Sequence, residues 1–486
     1  MDRVEEITEL AKRRGFFWPS FSIYGGLAGF YDYGPLGTAM KEKILSKWTS
    51  SYRKLGAIFI DTPTLAPEVV FQASGHLEKF ADTAAECTKC GSRFKLESLG
   101  VKREDFDSFL TNGQHEKVFC RNCGSEITKF YSARQMFQIS SNDIRMQDLY
   151  LRPETAQGMM LGFPLLLNFN RGKLPIYVSQ VGKSYRNEIA PRQALLRMRE
   201  FTQLELEAYY APGDPNDYYN ISKKKITIKP SGMDEIEISP SEMISRGIIS
   251  NRALAFFIGF CSELLISSGI EKSMMRFRQH DPDERAHYSR DSWDAEVKIG
   301  EEWVEVQGIA DRGNYDLTRH STYSKMDLSA DTGNGKEVPR IVEPALGVDR
   351  LIFSILSVNY LTRENGNRYL RLPPDIAPYS CAVLPLQKKD GIDGRARDFF
   401  NKYILRDSFA FYDESGSIGR RYARQDEIGT PVCVTFDYDS LQDPETVTVR
   451  FRDDTSQIRV TTESILQTGN ILKLPDIKKK FDYSID

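Results

Sequence analysis

From Glu200 to Tyr210 apolar and polar side chains alternate, with Leu204, Leu206, Ala208 and Tyr210 on one side and Phe201, Gln203, Glu205 and Glu207 on the other. A period of two predicts a β-strand with one face in a core. The second face is the stronger constraint. A solvated sheet face usually carries Lys, Thr and Ser, whereas this one carries two carboxylates, an amide and an aromatic ring. Residues 175–188 read as a partner strand with Arg186 and Glu188 on one face, and the loop between the strands holds Arg192, Arg197 and Arg199. The hairpin therefore belongs in a sheet that buries one face and gathers acids and arginines on the other.

Later segments repeat the theme. In Trp303-Val304-Glu305-Val306-Gln307 the period of two puts Glu305 and Gln307 on a common face, and the strand runs on into Gly308-Ile309-Ala310-Asp311-Arg312. Residues 341–344 deliver Glu343 into Ala345-Leu346-Gly347-Val348-Asp349-Arg350, after which Leu351, Ile352, Ile355 and Leu356 recur at helical spacing. Arginines match phosphates bidentately, and carboxylates hold Mg²⁺ or an ammonium group. Antiparallel strands with this lining predict a site for a polyphosphate together with a small cation.

Four of the seven cysteines form two CxxC pairs, Cys87/Cys90 and Cys120/Cys123, each followed by glycine. A tight turn lets each pair converge on one ion, so the spacing predicts a four-thiolate zinc site, the alternative being four buried free thiols. Four thiolates leave no open position, which makes the site structural. Cys261, Cys381 and Cys433 sit singly in apolar runs and read as inert core thiols. The loop Tyr24-Gly25-Gly26-Leu27-Ala28-Gly29 is no P-loop, because Phe30-Tyr31-Asp32-Tyr33-Gly34-Pro35 follows where a helix should start. Residues 38–55 have helical periodicity, and 57–60 read as a strand ended by Pro63 and Pro67.

A chain of 486 residues predicts roughly three domains. After Pro373-Pro374 strands and helices alternate, which predicts a separate α/β domain over 376–486. Its concentrated basic features are Arg420, Arg421 and Arg424 and the run Lys478-Lys479-Lys480. The apolar stretches 159–169 and 254–266 are too short and too interrupted for a membrane span, and the charged first residues carry no secretory signal, so a cytoplasmic protein is expected. A net charge of −3 gives no global attraction for a nucleic acid, so any polyanion is gripped locally.

At this point the sequence resembles the class II aminoacyl-tRNA synthetases, and among them the homodimeric glycyl-tRNA synthetase family of the archaeal and eukaryotic kind. The resemblance rests on segments spread over nearly the whole chain, among them Ala73-Ser74-Gly75-His76, Arg152-Pro153-Glu154-Thr155-Ala156-Gln157-Gly158, Gly182-Lys183-Ser184-Tyr185-Arg186-Asn187-Glu188, Arg199-Glu200-Phe201-Thr202-Gln203, Trp293-Asp294-Ala295-Glu296 and Gly347-Val348-Asp349-Arg350. It implies an α+β fold: an antiparallel β-sheet catalytic domain flanked by helices, a zinc-binding insertion, a mixed helical insertion and a C-terminal α/β anticodon-binding domain. The implied boundaries are 1–83 for the first catalytic part with the dimer-interface motif, 84–133 for the zinc ribbon and 134–210 for the second motif. An insertion toward the acceptor stem would then occupy 211–290, the third motif 291–373 and the anticodon-binding domain 376–486.

Carried over residue by residue, the resemblance implies that Arg186 grips the ATP α-phosphate and Arg350 the γ-phosphate. Asn187, Glu188, Arg197, Arg199 and Gly347 would line the ATP site, Phe201 would stack on the base, and Glu305 with Val306 would meet ATP or its Mg²⁺. Glu154, Glu205 and Glu343 fall in the glycine ammonium neighbourhood, Arg312 at the glycine carboxylate and Ala345 in the pocket wall, where the family usually has Glu-Pro-Ser. Cys87, Cys90, Cys120 and Cys123 would hold Zn²⁺. The implied partners are glycine, ATP, tRNA(Gly) and a second copy of the chain, with no membrane. Attack of a carboxylate on the α-phosphorus needs positioning and charge stabilisation rather than a general base, which suits arginines and Mg²⁺. Three alternatives remain open: a paralogue binding tRNA or protein without charging, a class II synthetase for another small amino acid, and a zinc-ribbon nucleic-acid adaptor.

Overall fold

The computed structural model describes residues 3–111, 115–140, 148–191, 193–211, 219–332, 335–442 and 445–481. Arg192 lies outside them. A nine-stranded sheet organises most of the chain. Its strands are β1 (Ile58–Phe59), β2 (Ile176–Tyr185), β3 (Glu200–Tyr210), β4 (Ile226–Lys229), β5 (Ile236–Ile238), β6 (Met275–Gln279), β7 (Asp291–Ile299), β8 (Glu302–Gly313) and β9 (Arg340–Gly347). They lie in the order β5-β4-β6-β7-β8-β9-β3-β2-β1, antiparallel except where β1 meets β2 and β4 meets β6.

The alternation of β3 decides what covers each face. Leu204, Leu206, Ala208 and Tyr210 join one core with side chains from α1 (Arg3–Arg14), α2 (Pro35–Lys54), α3 (Arg252–Ser267) and, later in the chain, α5 (Val348–Asn359). Trp48, Phe257, Leu351 and Ile355 in that core are all fully buried. Proline opens α2, where its fixed φ suits the first helical position. Asn251 caps α3 by accepting hydrogen bonds from the Ala253 and Leu254 amides. The opposite face of the sheet is covered by α4 (Tyr315–Ser324), the helix Ala156–Leu161 and the segments 76–83 and 280–288.

The stretch 211–290, expected as an insertion, supplies β4, β5 and β6 to the central sheet and packs α3 into the main core. Its strands are only three to five residues long, too short for their alternation to stand out from the polar runs between them.

The cysteine-rich segment folds around its own small core of Ala85, Leu96, Phe109, Val118 and Ile127. Toward the C-terminus, β10 (Cys381–Pro385), β11 (Ala410–Tyr412), β12 (Val432–Phe436), β13 (Thr446–Phe451) and β14 (Gln457–Thr461) form a second sheet in the order β11-β10-β12-β13-β14. There β10 runs parallel to β11 and β12, and the remaining pairs are antiparallel. The helices α6 (Ile392–Tyr403) and α7 (Ile418–Ile428) pack on this sheet.

Candidate active site

Side chains of β3, β7, β8 and β9 line a cleft of about 690 Å³. At one end Glu154, Glu205 and Glu343 converge with Ala345. Glu205 accepts hydrogen bonds from the Thr155 amide (2.8 Å), the Thr155 hydroxyl (2.5 Å) and Gln203 (2.7 Å). Burial nevertheless pushes its carboxyl up to about 8, with Glu343 and Glu154 adding to the effect. Glu154 behaves oppositely. Burial alone would raise it, but Arg312, His76 and Gln157 outweigh that and hold it well below the usual carboxylate range. Behind these acids lies Arg312, without exposed surface, donating to Asp316 (2.8 and 3.0 Å), Glu343 (2.8 and 3.0 Å) and Glu154 (3.3 Å). The Tyr288 ring covers its guanidinium at 3.8 Å.

The other end is lined by cations. The Arg186 guanidinium sits between the Phe80 and Phe201 rings, 5.4 and 5.3 Å from their centroids. Arg350 projects from the start of α5 and donates to the Glu305 carboxylate (2.9 Å), the Glu305 carbonyl (3.1 Å) and the Leu196 carbonyl (3.1 Å). Arg197 pairs with Glu188 at 3.1 Å. Burial would raise the Glu305 carboxyl, but Arg350 and Arg186 overcome it and lower it. Asp294, on the neighbouring β7, is pushed up to about 6 by burial and by Glu305, against the pull of His280 at 2.7 Å.

The structure thus brings Arg186, Glu188, Arg197, Phe201, Glu305, Val306, Gly347 and Arg350 into one cleft with Glu154, Glu205, Glu343 and Ala345. Three expected residues stand elsewhere. Asn187 is exposed and outside the cleft lining. Arg199 turns back to donate to the carbonyls of Glu188 and Ala28. Arg312 is engaged by three carboxylates beneath the Tyr288 ring, so its donors are directed at the wall rather than at a bound carboxylate. The shared face expected for Glu305 and Gln307 also fails. Ala295 pairs with Gln307 but Glu296 with Glu305, so Val306 is a bulged extra residue that keeps Glu305 on the cleft side. Gln307 lies against Tyr52 and Cys261 in the core.

Sequence reasoning missed Tyr288, Asp294 and His280 as lining residues and Asp316 as a partner of Arg312. The one available signal was period two in β7, which sets Ser292, Asp294 and Glu296 on one face. Three further histidines are hydrogen-bonded: His76 to Ser74 at 2.8 Å, His287 to the Ser74 carbonyl at 2.9 Å and His320 to Gln157 at 2.7 Å.

In the cysteine-rich segment the Sγ atoms of Cys87, Cys90, Cys120 and Cys123 all lie within 4.8 Å of one another, and two of the separations are 3.6 Å. Sulfurs about 2.3 Å from one tetrahedral ion stand about 3.8 Å apart, so this set fits zinc. Gly91 and Gly124, both at φ +70°, close the two turns by donating to the Cys87 and Cys120 carbonyls at 2.8 Å.

Two family models match the chain: the anticodon binding domain over residues 380–468, and the tRNA synthetase class II core domain (G, H, P, S and T) over residues 137–359. The chain is 36% identical to the glycine–tRNA ligase of Thermococcus gammatolerans, covering 96% of this chain and 97% of that protein. The glycine–tRNA ligase of Thermococcus kodakarensis is 37% identical over 96% and 97% of the two chains, and that of Archaeoglobus fulgidus 37% identical over 94% and 95%. Among solved structures, Giardia lamblia prolyl-tRNA synthetase in complex with prolyl-adenylate superposes with a TM-score of 0.63 at 14% identity, covering 96% of this chain and 75% of that one. Prolyl-tRNA synthetase from Cryptosporidium parvum gives 0.59 at 12% identity, over 99% and 77%. At such identities the likeness is one of fold.

Proposed function

This chain belongs to the glycine–tRNA ligase family of class II synthetases, and we propose that its cleft joins glycine to ATP with the acids at one end and the arginines at the other. The reaction is glycyl-tRNA formation. The glycine carboxylate attacks the α-phosphorus, the bond to the β-phosphate oxygen breaks, pyrophosphate leaves, and the glycyl group of the adenylate passes to the 3′ end of tRNA. The observation that carries this reading is the polarity of the cleft. Glu154, Glu205 and Glu343 converge at one end for an ammonium group, and Arg186 and Arg350 approach a polyphosphate from the other.

The roles follow from what each side chain already touches. Arg186, near the Phe80 and Phe201 rings and donating to the Pro153 carbonyl, is preorganised to meet charge that develops at the α-phosphate. Arg350, anchored by Glu305 and the Leu196 carbonyl, supplies charge for the terminal phosphate. Phe201 offers a ring for the base, and Glu188 fixes Arg197 in the loop. Arg312 is a positioning residue that orients Glu154 and Glu343. The Glu305 carboxylate, a hard oxygen donor beside the arginines, suits Mg²⁺, which when bound would neutralise phosphate charge. Selection of glycine would be by exclusion, with Glu205, Glu343 and Ala345 as the wall against a larger side chain.

Cys87, Cys90, Cys120 and Cys123 would hold a structural zinc ion that ties the two turns together. Leu161, Leu165 and Phe169 recur every four residues and are 47%, 78% and 73% exposed, an apolar row suited to a second copy of the chain. For tRNA, the match to an anticodon-binding family over residues 380–468 supports recognition by the C-terminal sheet. Of its arginine cluster Arg420 alone is exposed, because Arg421 donates to the Leu386 carbonyl and Arg424 is held by Asp413. No described helix is long and apolar enough to cross a membrane, and a cytoplasmic location is proposed on the strength of the family.

ATP–pyrophosphate exchange tests the reading. Exchange should depend on glycine, with alanine and serine inert, and Arg186→Ala should abolish it in a folded protein. Equal exchange with alanine would overturn the glycine assignment.

A further inference from the structure

Glu207 follows Glu205 on the same face of β3 and has no part in the mechanism above. It is fully buried, and neither carboxyl oxygen has a hydrogen-bond donor within reach. Its position is set by register. Glu205 pairs with Ala345 and Ala208 with Val342 across the β3–β9 ladder, so Glu207 stands opposite Glu343, beside Pro344, which has no N–H to give the ladder. Directly opposed residues of an antiparallel pair have Cβ atoms about 4.5–5.5 Å apart, and like charges there are destabilising.

The two acids are not equivalent. Burial raises the Glu343 carboxyl, but Arg312 opposes this with two Nη1 hydrogen bonds that favour the Glu343 anion, while Glu207 receives none. An anion with no donor, facing a second anion away from water, is far more costly than the neutral acid. The neutral acid has one O–H to give, and Glu343 is the acceptor opposite. Burial first, then Glu343, push the Glu207 carboxyl well above its ordinary value, and Arg312 and Glu205 are the other ionisable groups facing it.

We propose that Glu207 is a positioning residue of the amino-acid pocket: a neutral carboxylic acid that donates its O–H to Glu343 from behind and fixes the carboxylate that meets the substrate ammonium. The proposal rests on the glycine reading above. The proton stays on Glu207 throughout, and no step transfers it. Arg312 holds Glu343 from one side and Glu207 from the other, so a single ionised carboxylate is presented where two acids stand opposed.

Two variants and one spectrum test it. Glu207→Gln keeps a donor at the same place, and Glu207→Leu removes it at similar volume. In glycine-dependent ATP–pyrophosphate exchange, Glu207→Leu should raise the KM for glycine about tenfold or more with kcat little changed, as expected for losing a hydrogen bond to a charged group. Glu207→Gln should stay within about threefold of wild type, since the amide restores the donor. The infrared difference between wild type and Glu207→Gln at neutral pH should contain the carbonyl stretch of a protonated carboxylic acid, a readout that needs neither activity nor the leucine variant to fold. Absence of that band, a KM as high in Glu207→Gln as in Glu207→Leu, or an unchanged KM in a folded Glu207→Leu would each overturn the proposal. The band in a wild type that gives no glycine-dependent exchange would overturn the glycine reading, and with it the positioning role, but not the neutral acid.

Discussion

Replacing Arg312 with Met separates a structural guanidinium from a substrate-gripping one. The native side chain makes five hydrogen bonds to Asp316, Glu343 and Glu154 at 2.8–3.3 Å and has no exposed surface. Methionine fills most of the volume but leaves three buried carboxylates without their cation. Removing one partner of a buried ion pair costs about 3–5 kcal/mol, and with three acids released the upper end applies. At about 2–4 °C per kcal/mol for a body of this size, the catalytic unfolding step should move down by roughly 10–20 °C. The sign with pH also follows. Arg312 holds Glu154 below its unfolded pKa, so this contribution is present above that pKa and is lost as pH falls through the folded value. In Arg312→Met the freed acids take up protons instead, so the gap from wild type should be wide at pH 8 and narrow toward pH 5. Calorimetry at both pH values measures it. A shift under about 3 °C at pH 8 combined with a large rise in the KM for glycine would refute the reasoning and return Arg312 to the substrate carboxylate.

Three further outcomes are expected. The Glu205 carboxyl is raised to about 8, so in the free protein it is protonated below that pH, and a bound ammonium favours its anion. The KM for glycine should therefore fall as pH rises from 6 to 8, by up to tenfold per unit, with proton release on binding. A KM flat over that range would remove the linkage, and Glu205→Gln should abolish the slope. Purified protein should carry one zinc per chain, and its removal by a chelator should expose 84–133 to protease while the nine-stranded sheet keeps its unfolding step; protein containing no zinc refutes the four-thiolate site. Leu165→Glu, at the centre of the exposed apolar row, should convert a particle of two 55.5 kDa chains into one, and a wild type that sediments as a single chain excludes that interface.

What the sequence made legible depended on how far each signal reaches along the chain. The β3 pattern survives because every residue from Glu200 to Tyr209 pairs with β2 without a shift, so period two assigns both faces correctly. The same rule failed at Glu305 and Gln307 because one bulged residue, Val306, reverses the assignment beyond it, and nothing in Val-Glu-Val-Gln marks a bulge. The strands of 211–290 were hidden by brevity, since three to five residues cannot establish a period. The chemistry of the pocket was legible as residue types but not as pairings. Arginine at 312 is far in sequence from the acids at 154 and 343, and only the fold decides whether a guanidinium faces a ligand or the wall. The same holds for Glu205 and Glu207, two identical side chains on one strand face. Glu205 meets the Thr155 amide and hydroxyl and lines the cleft; Glu207, one pleat deeper, meets only another acid. Their ionisation therefore has to be read from the neighbours that the register brings across, and a pocket counted from sequence as uniformly anionic contains acids in different protonation states.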